Sequence, residues 1–347
     1  MRALILTLTL ITLQDTPRPS FSEWLDGVRK EAIDRGIRQD VVDEALGQIE
    51  EPVPVVLERD RAQAETVFSL ERYITRQLTA KKLAHGRETF ALHRDLLEQV
   101  AARYGVPART IAGVWGMETN FGGFSGIRPT VAALATLAWD PRRSTFFRGE
   151  LFDALEILNR GDIDFASMKG SWAGAMGQPQ FMPSSYLKFA QDFDGDGHKD
   201  IWSNPGDVFA SIANYLKGHG WSEGQSWGRE VTIAPAAAKH LAADIARRTD
   251  TCRGARDMTI EKPLREWQKL GVRLPGGKAL PAADLQASLV SGATRHFLVY
   301  KNFDALLEYN CSLSYAITVA LLGDAVATPA GAAHKDAKPK TPKAQKG

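Results

Sequence analysis

Apolar residues recur at three- and four-residue spacing from Phe21 to about Arg103. Trp24, Leu25, Val28 and Ile33 show it first and Leu92, Leu96, Leu97 and Val100 repeat it, which predicts a succession of amphipathic helices. Pro107 suits the first turn of a further helix, where its missing N–H is not needed. Ile111, Val114 and Trp115 mark that helix's inner face, and Gly122-Gly123 ends it. The helical period returns over Leu151–Leu158, Val208–Leu216 and Leu306–Leu322. Between Gly228 and Asn302 the pattern changes: Val231–Ile233, Ala287–Val290 and Phe297–Tyr300 read as short strands divided by Pro and Gly. From about Thr328 the chain is rich in Ala, Lys and Pro and too poor in large apolar residues to fold. The fold class predicted is mainly α (α+β), divided into a leader at 1–20, a helical lead-in at 21–90, a main helical unit at 91–227, a small mixed α/β satellite at 228–302, a returning helix at 303–323 and a tail at 324–347.

A length of 347 residues supports a large core with a satellite. The net charge is +2, and His334–Gly347 alone carries five lysines against one aspartate, which leaves about −2 for the rest. With no broad basic field along the chain, a nucleic-acid partner is not expected. Met1-Arg2 followed by the apolar run Ala3–Leu13 has the form of a secretory leader and is too short to span a bilayer, so export is expected. No A-x-A pattern follows the run, so a membrane tether through an uncleaved N-terminus stays open, and no cysteine nearby offers a site for lipid attachment. Cys252 and Cys311 are the two cysteines. After export such a pair is a disulfide or two buried thiols, with the disulfide preferred, and the absence of C-x-x-C spacing or a nearby histidine argues against metal or redox use.

Two runs carry candidate chemistry. Gly113–Gly126 (GVWGMETNFGGFSG) holds one acidic residue, Glu118, among apolar and glycine neighbours. Glu118 follows Val114 by four and Trp115 by three, so in a helix it shares their inward face, where desolvation disfavours the anion. The carbonyl end of the helix acts in the same direction, and both effects suit a general acid. The other reading is an ordinary acidic residue beside a glycine turn. The second run, Gly170–Asp207, places small residues (SWAGAMG) before an amide, an aromatic and a thioether (QFM), a combination suited to a sugar groove or to a tightly packed helix hairpin. It ends in a calcium-type loop. Asp192, Asp194 and Asp196 stand at positions one, three and five, Gly197 supplies the turn, His198 offers a backbone carbonyl, and Ser203 occupies the place of the usual closing glutamate.

Together these runs resemble the soluble and membrane-bound lytic transglycosylase B family, enzymes that cleave bacterial peptidoglycan, and the resemblance extends over Leu92–Gly323. It implies a lysozyme-like helical catalytic core with Glu118 as the acid/base. It also implies that Ser171 and Gln180 bond the sugar near the cleaved linkage, that Phe181, Tyr215, Tyr309 and Tyr315 are groove aromatics, that Arg142 and Arg143 form the groove wall, and that Asp207 closes the metal loop. The chain departs from the family at Gln178-Pro179, where an aromatic and a glycine are usual.

The implied reaction cleaves the β-1,4 bond between N-acetylmuramic acid and N-acetylglucosamine to give 1,6-anhydro products, with substrate assistance replacing a second carboxylate and no cofactor needed for catalysis. A structural calcium ion, peptidoglycan strands as the partner, a periplasmic location and a monomer complete the expectation. Two rivals remain at this point: a hydrolytic muramidase, for which Asp140 or Glu150 would be the second carboxylate, and a non-catalytic peptidoglycan-binding protein.

Overall fold

The computed structural model describes residues 19–62 and 68–328. Almost all of the expected leader and tail lies outside them. The chain opens with α1 (Phe21–Asp34), where the Ser20 and Glu23 side chains cap each other's backbone N–H, followed by α2 (Gln39–Leu46) and α3 (Pro54–Ala62). Four helices come next: α4 (Leu70–Gln77), α5 (Ala80–Leu92), α6 (Arg94–Tyr104) and α7 (Ala108–Thr119). A two-residue strand β1 (Arg128–Pro129) precedes α8 (Thr130–Trp139) and α9 (Ser144–Arg160); its partner β2 (Lys169–Gly170) precedes α10 (Pro183–Phe189) and α11 (Pro205–Gly218). The strand-bearing section contains β3 (Gly228–Val231), α12 (Pro235–Asp244), α13 (Arg253–Arg256), β4 (Lys262–Pro263), α14 (Leu264–Lys269), β5 (Gln286–Ser291) and β6 (His296–Val299). The last helices are α15 (Asn302–Tyr309) and α16 (Leu313–Ala327). α16 runs into the segment expected to be tail because Val326 still finds core to pack against.

Two helical cores form. One collects side chains of α4–α7, α11, α15 and α16, and the other those of α1–α3 and α8–α10. Tyr309 packs against both, which places the segment joining α15 to α16 at their seam. The four-stranded antiparallel sheet has the order β3-β6-β5-β4. Strand alternation gives it two different faces. Ala287, Leu289 and Leu298 cover a small separate core around Trp267, whose indole N–H donates to the Ala287 carbonyl at 2.9 Å, whereas Val290, Phe297 and Val299 join the first helical core. β3 lies earlier than the predicted Val231–Ile233, since pairing with β6 starts at Gly228, where a Cβ would sit 2.4 Å from the Leu298 carbonyl oxygen. β4 was not anticipated because two residues are too few to show alternation.

α7 crosses α16 at close range. A Cβ on Gly113 would lie 2.4 Å from the Val319 carbonyl oxygen, and one on Gly323 would lie 2.2 Å from that of Arg109. Backbone therefore meets backbone, and the end of α7 is fixed against the first turn of α16.

Candidate active site

Glu118 occupies the last turn of α7, and the chain leaves that helix through three consecutive left-handed residues: Asn120, Phe121 and Gly122, with φ of 52°, 60° and 78°. This conformation is unfavourable for a bulky residue such as Phe121 and persists only where its surroundings impose it. The Phe121 ring fills the space left by Gly86 and Gly116, at each of which a Cβ would lie 2.5 Å from it. The Thr119 hydroxyl donates to the Trp115 carbonyl at 3.3 Å and accepts from the Gly122 N–H at 3.1 Å. The turn that presents Glu118 is thus held from both sides.

The Tyr315 hydroxyl, from the first turn of α16, donates to Glu118 Oε1. Burial pushes the Glu118 carboxyl up to about 7, opposed by the Tyr315 hydrogen bond and by the positive charge of Lys82, and no second carboxylate is among the groups that shift it. Lys82 is itself driven down by burial, and its Nζ lies 3.7 Å from Met117 Sδ. The Glu118 charge also acts on Tyr73, Tyr215 and Tyr309, so these phenols share its neighbourhood. Tyr215 is raised to about 12, with burial the larger cause, and remains a neutral donor. Neither Lys82 nor Tyr73 was singled out from the sequence, since both belong to lead-in helices whose periodicity speaks only of packing.

The other expected groove residues occupy varied positions. Tyr215 donates to the Glu308 carbonyl and Tyr309 to the Pro179 carbonyl, each at 2.8 Å, and their rings lie 4.6 Å apart. Phe181 is 2% exposed, which makes it a support beneath Tyr215 and Tyr309 rather than an open sugar platform; its ring lies 5.4 and 6.0 Å from theirs. Gln180, in the left-handed region with φ of 54°, donates its amide to the carbonyls of Ser125 and Gly177, tying the turn after α7 to the small-residue segment. The Ser171 hydroxyl accepts from the N–H groups of Ala173 and Ala175 at 3.3 and 3.1 Å and shapes the same segment. Gln180, Phe181, Tyr215 and Tyr309 line one cavity of about 320 Å³ with Phe146 and Glu150.

Arg142 is bound to Asp140 and, at 2.6 Å, to Asp60, while Arg143 lies 3.7 Å from Asp60 with its guanidinium over Phe147. These arginines therefore join α3 to the turn before α9. The two carboxylates considered for a muramidase are likewise engaged: Asp140 with Arg142, and Glu150 with the backbone N–H and hydroxyl of Ser184.

Gln178, at the departure from the family pattern, has a distinct place. Its Oε1 accepts from the Trp115 indole at 2.7 Å, its Nε2 donates to the Trp202 carbonyl at 2.8 Å, and its backbone N–H donates to the Ile201 carbonyl. One side chain thus links the helix that carries Glu118 to the segment leaving the acidic loop.

In that loop the carboxylates of Asp192, Asp194 and Asp196 converge, with ligand atoms all within 4.8 Å of one another. Gly195 and Gly197 provide the left-handed turns, and the Asp192 oxygens accept from their N–H groups at 2.6 and 2.9 Å. His198 follows with its N–H on Asp196. Hard oxygen donors at this spacing fit calcium. Asp207 feels the charges of Asp192 and Asp194. It lies outside the three-carboxylate group and is fully buried, with its oxygens accepting from the N–H groups of Phe193 and Asp200 at 2.7 and 2.8 Å. Its position in the first turn of α11 turns it inward as a clamp on the two ends of the loop. Cys252 and Cys311 form a disulfide that ties the residue preceding α13 to the residue before the cap of α16.

A lysozyme-like helical fold, here with a buried carboxyl whose proton affinity burial raises, is the fold of the peptidoglycan lytic transglycosylases. Residues 20–324 match the family model of the transglycosylase SLT domain, and the chain belongs to that family. It is 34% identical over 258 residues to the membrane-bound lytic murein transglycosylase B of Escherichia coli (strain K12), covering 74% of this chain and 67% of that protein. SltB3 from Pseudomonas aeruginosa, solved with NAG-anhNAM-pentapeptide, is 41% identical, with a TM-score of 0.81 over 89% of this chain and 80% of its own. Escherichia coli Slt35 in complex with calcium is 30% identical, with a TM-score of 0.71 over 90% of this chain and 93% of its own.

Proposed function

We propose that Glu118 acts alone as the acid and then the base of the transglycosylase reaction. The observation that carries this is a carboxyl held near pKa 7 by burial, between Tyr315 and Lys82, without a carboxylate partner. Protonated Glu118 gives its proton to the bridging oxygen between the muramoyl and glucosaminyl residues, while the acetamido oxygen of the muramoyl residue closes on C1. The C–O bond to the leaving sugar breaks. Glu118, now an anion stabilised by the Tyr315 hydroxyl and the Lys82 charge, takes the proton of the C6 hydroxyl as that oxygen displaces the acetamido oxygen from C1. The product is a 1,6-anhydro sugar; no water is consumed and Glu118 ends protonated. The engagement of Asp140 by Arg142 and of Glu150 by Ser184 supports this route over hydrolysis.

Tyr215 and Tyr309 would line the glycan channel, with Ser171, Gln180, Phe181, Arg142 and Arg143 keeping its walls in place. Asp192, Asp194, Asp196 and the His198 carbonyl would hold a calcium ion whose part is structural, with Asp207 as the closing carboxylate. The leader at 1–20 would direct the protein to the periplasm, where peptidoglycan is its partner. Mass spectrometry of products released from purified peptidoglycan tests the reaction. Anhydro-ended muropeptides are expected, and reducing-end products alone would replace this reading with the muramidase.

A further inference from the structure

A second cavity, of about 540 Å³, opens beside the first turn of α16 and takes no part in the chemistry above. Phe68, Arg247, Arg253, Arg256, Asp257 and the turn Cys311–Ser314 line it. The guanidinium carbons of Arg72 and Arg76 stand 4.9 and 5.2 Å from the centre of the Phe68 ring, so three arginines line the cavity and two more flank an aromatic of its wall. Among the described residues, none of Arg72, Arg76, Arg253 and Arg256 has a carboxylate at ion-pair distance, and Arg247 donates to the backbone carbonyl of Asp257 at 2.7 Å. Other arginines nearby are paired: Arg248 with Asp250 and Asp304, and Arg295 with Glu230. Glu71, between Leu70 and Arg72, is occupied by the N–H groups of Thr294 and Arg295. Asp257 is the one carboxylate in the lining, and the fifteen-residue α16 adds the positive end of its dipole.

We propose that this cavity binds the carboxylates of the stem peptide attached to the muramoyl residue being cleaved, so that the enzyme favours peptide-bearing strands over stripped ones. The inference rests on the reading of Glu118 as the reacting acid. Leu313 and Ser314 in the cavity wall immediately precede Tyr315, whose hydroxyl lies on Glu118. Leu70, also in the wall, is three residues before Tyr73, which feels the Glu118 charge. On two separate helices the cavity wall thus lies within one turn of a tyrosine that neighbours the reacting carboxyl, a separation that a peptide hanging from the sugar can bridge, since five extended residues span up to about 17 Å. A peptide carboxylate offers two coplanar oxygens, which match the fork of a guanidinium group.

The test measures binding by calorimetry, independently of turnover, with soluble NAG-anhNAM-pentapeptide and with NAG-anhNAM lacking the peptide as probes. Wild type should bind the peptide-bearing probe more tightly. Arg253→Gln with Arg256→Gln should weaken that binding about tenfold and leave the peptide-free probe unchanged, since one exposed ion pair is worth up to about fivefold. Arg72→Gln with Arg76→Gln is an independent pair on another helix and should act in the same direction. Salt that shortens the screening length to about 3 Å should abolish the peptide's advantage in wild type. Equal affinity of wild type for both probes, or an equal loss for both in the glutamine variants, would overturn the proposal. Turnover of peptide-free glycan by the same variants stays at the wild-type level, so a failure of the reaction reading is seen separately.

Discussion

Replacing Glu118 by glutamine should abolish the reaction and stabilise the protein, and the two effects have one cause. In the folded chain the carboxyl titrates at about 7 rather than at its ordinary 4.5, with burial the largest cause. Between these values the unfolded chain gives up its proton first, so rising pH withdraws stability across that window and the full penalty is in place above about 7. Each tenfold change in proton affinity is worth about 1.4 kcal/mol, which sets an upper limit of about 3.5 kcal/mol. Glutamine has nearly the same shape and carries no charge, so the variant escapes the penalty while still accepting a hydrogen bond from Tyr315. Urea unfolding of Glu118→Gln and wild type as a function of pH gives the comparison. The variant should be more stable at pH 8 by up to about 3.5 kcal/mol, and the difference should shrink towards zero at acid pH as the carboxyl becomes neutral in both states. Its turnover should fall by at least about 10²-fold, the usual contribution of a general acid. A variant no more stable than wild type at pH 8 would show that Glu118 carries no burial penalty, and the argument for a carboxyl poised as an acid would fail with it.

Tyr315→Phe removes the donor that lowers the Glu118 pKa, so the falling alkaline limb of kcat/KM should move to higher pH; a limb that stays in place would exclude Tyr315 from tuning the acid. Calcium should raise the melting temperature, with Asp192→Ala plus Asp196→Ala removing the rise; identical melts of metal-free and calcium-loaded wild type would leave only an acidic turn. Opening the disulfide, which spans a sequence separation of 59, should cost roughly 4 kcal/mol of stability on chain-entropy grounds. Chemical unfolding of Cys252→Ser with Cys311→Ser measures that cost, and an unchanged midpoint would deny the bond a stabilising role.

The inward placing of Glu118 was legible because Val114 and Trp115 share its face of α7 and a glycine-rich turn follows it. Lys82 and Tyr73 were not legible. They reach Glu118 from helices distant in sequence, and nothing in a local pattern separates a lysine facing solvent from one facing a carboxyl. Phe181 illustrates a different limit, since the same residue type serves as a groove platform or as the support beneath one, and only its 2% exposure decides. Asp207 carries the right chemistry for a metal loop, whereas the two backbone N–H groups that its place on α11 gives it could not be read from the sequence. The arginine cavity is assembled from residues near 70, near 250 and near 312, so the sequence shows scattered basic residues and no patch. The mainly helical class with a small strand-bearing section followed from the change of hydrophobic period; α8, buried on nearly every side, and the strands too short to alternate escaped.

The α7–α16 crossing has a consequence for how this enzyme can vary. The distance from acid to phenol is set where Gly113 and Gly323 let two main chains touch, rather than by the volumes of interlocking side chains. Main-chain contact leaves no spare volume to redistribute, so a substitution elsewhere in the core cannot be absorbed by sliding one helix along the other. Residues lining the channel and the arginine cavity are under no such constraint. Substrate preference can therefore drift at the periphery while Glu118 and Tyr315 keep their spacing, which is set at two positions that have no side chain at all.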